Sequence, residues 1–175
     1  MVKLLLHACC APCSSSVLEK LKDYDVTVYF YNPNILPKEE YLRRQEELVN
    51  MLEKLNIPYI LDDYNNEDFR LAINGFENFP EKSERCKKCY YLRMEKTALL
   101  AKKLGFDYFT TTLSVSPHKN YAWILEIGKQ LESLYGVKFY EEDFKKKDGY
   151  LRSLILSKEY GLYRQNYCGC MPKEN

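Results

Sequence analysis

Apolar and polar positions along the chain follow two periods. Short runs rich in β-branched and aromatic residues recur at "KLLLH" (3–7), "VTVYFY" (26–31), "PYILDD" (58–63), "DYFTTTL" (107–113) and "KFYEE" (138–142), and each predicts a strand. Between them the apolar spacing lengthens to that of a helix. In "CSSSVLEKLKDY" the residues Val17, Leu18 and Leu21 share one face, behind serines suited to a helix start. "PKEEYLRRQEELVNMLEKLN" (37–56) is strongly amphipathic, with Pro37 at its start and acidic residues in its first turn. Further helices are predicted around "NEDFRLAI" and over 86–105, 121–136 and 150–161, the second of these ended by Gly105.

Strands that alternate with helices predict parallel βαβ units. The expected fold is therefore α/β, a doubly wound and mostly parallel sheet of about five strands. In such a sheet the ligand site lies beyond the carboxyl ends of the strands, at the switch point. "ACCAPC", after the first strand, and "SVSPHKN", after the fourth, both belong on that rim. The 175 residues are expected to form a single catalytic domain, 1–175, with a loop insertion at 76–85 and an irregular tail at 162–175.

Composition narrows the function. Net charge is +1, so any contact with nucleic acid must use a local patch rather than a global field. The apolar run in "MVKLLLHACC" is too short for a signal peptide, and none approaches a membrane span, so a cytoplasmic protein without membrane partners is expected. The reducing cytosol disfavours a disulfide framework for the seven cysteines, as does their odd number.

Those cysteines fall in three clusters: Cys9, Cys10 and Cys13, then Cys86 and Cys89, then Cys168 and Cys170. Buried inert thiols do not need such clustering, whereas metal and redox chemistry do. Zinc prefers paired CxxC units, and adjacent side chains at Cys9 and Cys10 are expected to diverge, which suits a larger cluster or two neighbouring centres better than one tetrahedral ion. Cys86 and Cys89 fall at a predicted helix N-terminus, where the macrodipole favours the thiolate a metal needs. One iron–sulfur cluster leaves three thiols over. Cys168 and Cys170 are the natural candidates for a redox pair.

Four stretches, "HACCAPCSSS", "RCKKCYYLRM", "TTTLSVSPHKN" and "YRQNYCGC", together resemble the QueH-type epoxyqueuosine reductases, from the first strand to the last cysteine. The resemblance implies an oxidoreductase of the last step of tRNA queuosine biosynthesis, without cobalamin, on a PP-loop/HUP-like fold. The SGGxDS phosphate loop of PP-loop ATPases is replaced here by the cysteine motif, which argues against ATP use. Carried over, Cys9, Cys10, Cys86 and Cys89 bind a [4Fe-4S] cluster. Cys168 and Cys170 are a redox-active pair or help to hold a second, mononuclear iron, with Cys13 as a further ligand. The partition stays open, since Cys9 and Cys10 can face different metals with Cys168 completing the cluster.

Reduction of an epoxide to an alkene takes two electrons and two protons and releases water, so a redox cofactor and an electron donor, not identified by the sequence, are required. His118 in "SPHKN" is the candidate proton donor, since histidine is the side chain type best suited to proton transfer near neutral pH, the alternative being an exposed loop histidine; His7 reads as a packed residue. Arg85, Lys87, Lys88, Lys119 and Arg164 are candidate contacts to tRNA phosphates, and the 16 tyrosines offer stacking surfaces. Two other functions fit the pattern: an iron–sulfur enzyme of tRNA or nucleobase sulfur transfer or desulfidation, and a zinc-stabilised RNA-binding module.

Overall fold

The computed structural model of the chain describes residues 1–165 and 170. The strands are β1 (Lys3–His7), β2 (Asp25–Phe30), β3 (Tyr59–Leu61), β4 (Tyr108–Thr111) and β5 (Lys138–Phe139). The helices are α1 (Ala11–Lys20), α2 (Lys38–Lys54), α3 (Asn66–Ala72), α4 (Glu84–Leu104), α5 (Tyr121–Tyr135) and α6 (Gly149–Glu159). The strands form one parallel sheet in the order β3-β2-β1-β4-β5. The chain therefore builds outward from β1 in one direction, then returns to its other side with β4.

β1 lies at the centre, and both its faces are covered. Leu4 and Leu6 pack with Val17 of α1, with Leu21 just after it, and with Leu48 and Leu52 of α2. Leu5, on the opposite face, packs with Tyr90, Met94 and Ala98 of α4 and with Ile124, Ile127 and Leu131 of α5. This explains the unbroken apolar run, since a strand buried on both sides has no polar face to show. α6 starts against the loop before it: a Cβ on Gly149 would lie 1.7 Å from the Phe144 carbonyl oxygen, so no larger residue fits there.

Several predicted boundaries shift for local reasons. The strand expected over 107–113 ends at Thr111, whose hydroxyl oxygen accepts the Leu113 N–H and starts a 3₁₀ turn at Thr112–Val115. The fifth strand is only Lys138–Phe139, paired with Tyr108 and Phe109; beyond it the Tyr140 carbonyl takes the Thr110 hydroxyl instead of a ladder bond. α4 begins at Glu84, inside the stretch read as a loop, and ends as expected at Gly105 in left-handed conformation. Among the described residues no helix is long and apolar enough to cross a membrane.

Candidate active site

The carboxyl ends of β1 and β4 lie side by side, since His7 pairs with Thr111 across the ladder. The chain leaves β1 at Cys9 and enters α1 after Cys10. At this bend the Cys9 N–H donates to the Thr112 hydroxyl, 3.2 Å away, which ties the cysteine turn to the turn after β4. The Cys9 and Cys10 sulfurs are 3.8 Å apart, and all three sulfurs of Cys9, Cys10 and Cys13 lie within 4.8 Å of one another. The expected divergence of the adjacent side chains does not hold, because the strand-to-helix bend brings them together.

Three thiols packed this closely cannot ionise independently. Hydrogen bonds from Cys10 and Cys13 hold the Cys9 thiol well below the usual range, with further help from Thr112 and Arg93. For Cys10 the bond from Cys13 pulls downward, but the bond to Cys9, burial and the Cys9 charge outweigh it and push the thiol up to about 12. Cys13 is pushed well above the usual range by its bonds to Cys10 and Cys9 and by burial. The three sulfurs thus share protons rather than ionising together, with Cys9 the easiest of them to deprotonate. Three thiolates can coexist here only if a cation neutralises them, which is what a metal centre does.

A cavity of about 520 Å³ opens over the triad. Cys86, Arg93, His118, Lys119, Tyr150 and Arg164 help to line it. A smaller cavity lies behind, lined by Cys86, Cys89, Cys170, Arg85, Arg93 and Phe69 among others. Cys86 and Cys89 stand three residues apart on the first turns of α4, both buried, and Cys86 lines both cavities. The Cys86 sulfur accepts the backbone N–H of Lys82 at 3.2 Å. Cys168 lies outside the described residues.

Beneath the cysteine turn is a buried polar lattice. The His7 Nε2 faces the Tyr31 carbonyl at 3.0 Å and Asn32 Oδ1 at 3.2 Å, so this nitrogen carries the proton. Nδ1 then accepts the Thr111 hydroxyl at 2.9 Å. Burial, helped by the Arg93 charge, lowers His7 to about 4, so the ring is neutral and fixed. Asn32 also donates to the Ala8 carbonyl at 2.9 Å and accepts from Arg93 at 3.2 Å. One asparagine thus joins β1, the loop after β2 and α4 directly under the cysteines.

His118 is exposed at the cavity lining. Lys119 lines it too, with its ammonium 5.7 Å from the Tyr90 ring centre, and Arg164 lies over Tyr150 while donating to Ser157. Lys87 is paired with Glu126, and Lys88 lies over Phe76 away from the larger cavity's lining. Arg85 departs from the expected phosphate-facing position. It is 2% exposed, and its guanidinium lies 3.4 Å from the Cys170 sulfur.

Sequence reasoning misses Arg44, Arg93, Asn32 and Thr112. A signal for the two arginines is present. Arg44 stands in register with buried Tyr41, Leu48 and Met51, and Arg93 with Tyr90, Met94 and Thr97. A charge on the core stripe of an amphipathic helix has to meet a buried partner or a site.

Comparison with known proteins agrees with this geometry. The family model described as epoxyqueuosine reductase QueH matches residues 4–175. Epoxyqueuosine reductase QueH of Streptococcus pyogenes is 42% identical over 96% of this chain and 69% of its own length. The Acinetobacter baylyi relative of the same name is 42% identical over 97% of this chain and 79% of its own. The Thermotoga maritima relative is 39% identical over 98% of this chain and 90% of its own. Among solved structures, the U34-tRNA thiolase NcsA from Methanococcus maripaludis, determined with its [4Fe-4S] cluster, superposes with a TM-score of 0.57 at 13% identity. That match covers 98% of this chain and 62% of the thiolase, and at this identity it speaks for a shared fold alone. With the four cysteine-bearing and rim motifs inside one family match that spans the sheet and its helices, the chain belongs to the epoxyqueuosine reductase QueH family, oxidoreductases of queuosine biosynthesis.

Proposed function

We propose that this chain reduces epoxyqueuosine to queuosine within tRNA, using a [4Fe-4S] cluster held by cysteines that line the larger cavity and its smaller neighbour, and no cobalamin. The observation that carries the reading is the convergence of Cys9, Cys10 and Cys13 on a cavity that Cys86 also lines, at the switch point of the sheet. The donor set fits such a cluster. It is made of soft sulfur ligands, three of them within 4.8 Å of one another at the cavity. Two buried guanidiniums, Arg85 and Arg93, stand beside the cysteines and match the net negative charge of a thiolate-bound cluster.

Cys9, Cys10, Cys86 and Cys89 are the ligands that the family resemblance implies. Cys13 is a competitor for the place of Cys89, because its sulfur belongs to the triad whereas Cys89 lines the smaller cavity. Cys168 and Cys170 remain the candidate redox pair, or ligands of a second iron with Cys13. When bound, the cluster supplies the electrons, which an unidentified donor restores.

The rest falls to the chain's own groups. The cavity volume suits one extruded nucleoside rather than a stacked helix. Tyr150 offers a stacking face, and Lys119 and Arg164 offer charge to the flanking phosphates, with Lys87 and Lys88 further along α4. The two-electron, two-proton reaction opens the epoxide, forms the alkene and releases its oxygen as water. His118, exposed at the lining, is the candidate to give a proton to that oxygen. The test is anaerobic purification, assay of iron and sulfide, and conversion of tRNA-borne epoxyqueuosine with a chemical reductant. A brown, iron-bearing protein that turns over is expected. A colourless zinc protein without turnover would replace this reading with the RNA-binding module, and sulfur incorporation into tRNA with the transferase.

A further inference from the structure

We propose that Arg85 is a positioning residue that anchors the Cys170 sulfur against α4, so that the C-terminal tail and the helix carrying Cys86 and Cys89 act as one unit. Arg85 is the second residue of α4, adjacent in sequence to Cys86. Its guanidinium is buried, and Nη2 lies 3.4 Å from the Cys170 sulfur, a contact that spans 85 positions of sequence. Cys170 is itself 8% exposed and packs with Phe69, Ile73 and Cys89. Among the described residues no carboxylate forms an ion pair with Arg85.

A buried guanidinium is strongly destabilising unless an anion compensates it. Here, among the described residues, the Cys170 sulfur is the group within reach. A neutral thiol is a weak acceptor, while an anionic sulfur, free or bound to a metal, makes a charge-assisted bond. Arginine suits the task better than lysine, because its planar fork fixes direction as well as charge. The contact has a consequence for the chemistry. Residues 160–165 are tied to the other face of the fold: Leu162 packs on the core, Tyr163 donates to Glu40 and Arg164 donates to Ser157. Arg85 supplies a further tie at Cys170, on the cavity wall that Cys86 also lines. Without it the sulfur loses its charged partner on that wall and becomes easier to reach, while Lys119 and Arg164 stay where they are.

This inference rests on the reductase reading only for its kinetic arm. The experiment compares wild type, Arg85→Met, Arg85→Gln, Cys170→Ser and the Arg85→Met/Cys170→Ser double variant, all as anaerobically purified full-length protein. Iodoacetamide labelling of Cys170 in the native state, quantified by peptide mass spectrometry, is expected to quicken on the order of tenfold or more in Arg85→Met, with Cys13 labelled as in wild type. kcat should fall while KM for tRNA holds. In the Cys170→Ser background the Arg85→Met change should cost no further kcat, as two residues acting through one contact do.

Wild-type labelling of Cys170 in Arg85→Met overturns the proposal. So does a raised KM with unchanged kcat, which would return Arg85 to phosphate binding. If Arg85→Met does not fold, Arg85→Gln takes its place, with the same expected and overturning results. A wild-type protein without iron, but with labelling that still depends on Arg85, would sink the cluster and leave the anchor standing.

Discussion

The backbone N–H of Lys82 points at the Cys86 sulfur from 3.2 Å, and Lys82 does this in a left-handed conformation with φ 64°. A residue with a Cβ is strained there by about 1–2 kcal/mol, and the strain buys one directed N–H···S bond at the mouth of α4. Hydrogen bonds to ligand sulfur are one of the ways a protein sets the potential of an iron–sulfur centre. Lys82→Gly keeps the N–H and relieves the strain, so it should leave the chromophore intact and raise the melting temperature slightly. Lys82→Pro removes the donor and cannot adopt a positive φ. It should make the centre harder to reduce and quicker to bleach in air. A redox titration of the two variants side by side checks this, and equal potentials would show that the bond does not tune the centre.

The lattice under the cysteine turn makes a stability prediction. Asn32 serves His7, Arg93 and the Ala8 carbonyl at once, with 1% exposure. Asn32→Ala removes all three contacts and leaves buried groups short of a partner, at a cost of about 2–4 kcal/mol. For a chain of this size that is a drop of roughly 5–12 °C in melting temperature. Thermal unfolding by circular dichroism reads it. Because Asn32 also fixes Ala8, the variant should lose iron faster than wild type on incubation with a chelator, even below its melting temperature.

The basic residues divide into groups that salt should distinguish. Lys119 and Arg164 line the larger cavity, Lys87 is already paired with Glu126, and Arg85 is buried. Lys119→Ala and Arg164→Ala should each weaken tRNA binding and lower the salt slope of log K by about 0.7–0.9. Lys87→Ala should do so less, since its ammonium must leave one partner to serve another. Arg85→Met should leave the slope unchanged. Filter binding of an anticodon stem-loop across a salt series measures all four, and equal slopes throughout would place the tRNA on another face.

Much of this is legible in the chain, and for identifiable reasons. β1 announces itself because a central parallel strand carries apolar residues on both faces, and α2 because its buried face repeats at helical spacing. The rim position of Cys9 and of "SVSPHKN" follows from the alternation of elements alone. What stays hidden depends on contacts between distant segments. The Thr112 hydroxyl meets Cys9 across 103 positions, and Arg93 meets Asn32 across 61. No local pattern marks either pair. Arg85 misleads for the opposite reason: it stands in a run with Lys87 and Lys88, yet a helix turns successive residues by about 100°, so neighbours in sequence face different surroundings.

The division of the cysteines yields the last prediction. Cys13 has its sulfur in the triad with Cys9 and Cys10, whereas Cys89 lies with Cys170 on the smaller cavity, which shares Cys86, Tyr90, Arg93 and Lys119 with the larger one. If Cys89 completes the [4Fe-4S] cluster, Cys89→Ser should abolish the brown chromophore, because losing a ligand leaves iron underheld in a buried site. Cys13→Ser should then keep the chromophore and the labile sulfide, and lose only iron in excess of the cluster. If Cys13 completes the cluster, the two variants exchange behaviour. The excess is itself countable: a second, mononuclear iron gives more than about four irons per chain against about four sulfides. Iron and sulfide assays on anaerobic wild type, Cys13→Ser and Cys89→Ser decide both points together. We expect Cys89→Ser to be the colourless variant, since Cys86 and Cys89 rise from one helical turn and share the smaller cavity's wall. Wild-type iron equal to sulfide, with full turnover, would remove the second iron and leave Cys168 and Cys170 as the reserve of electrons.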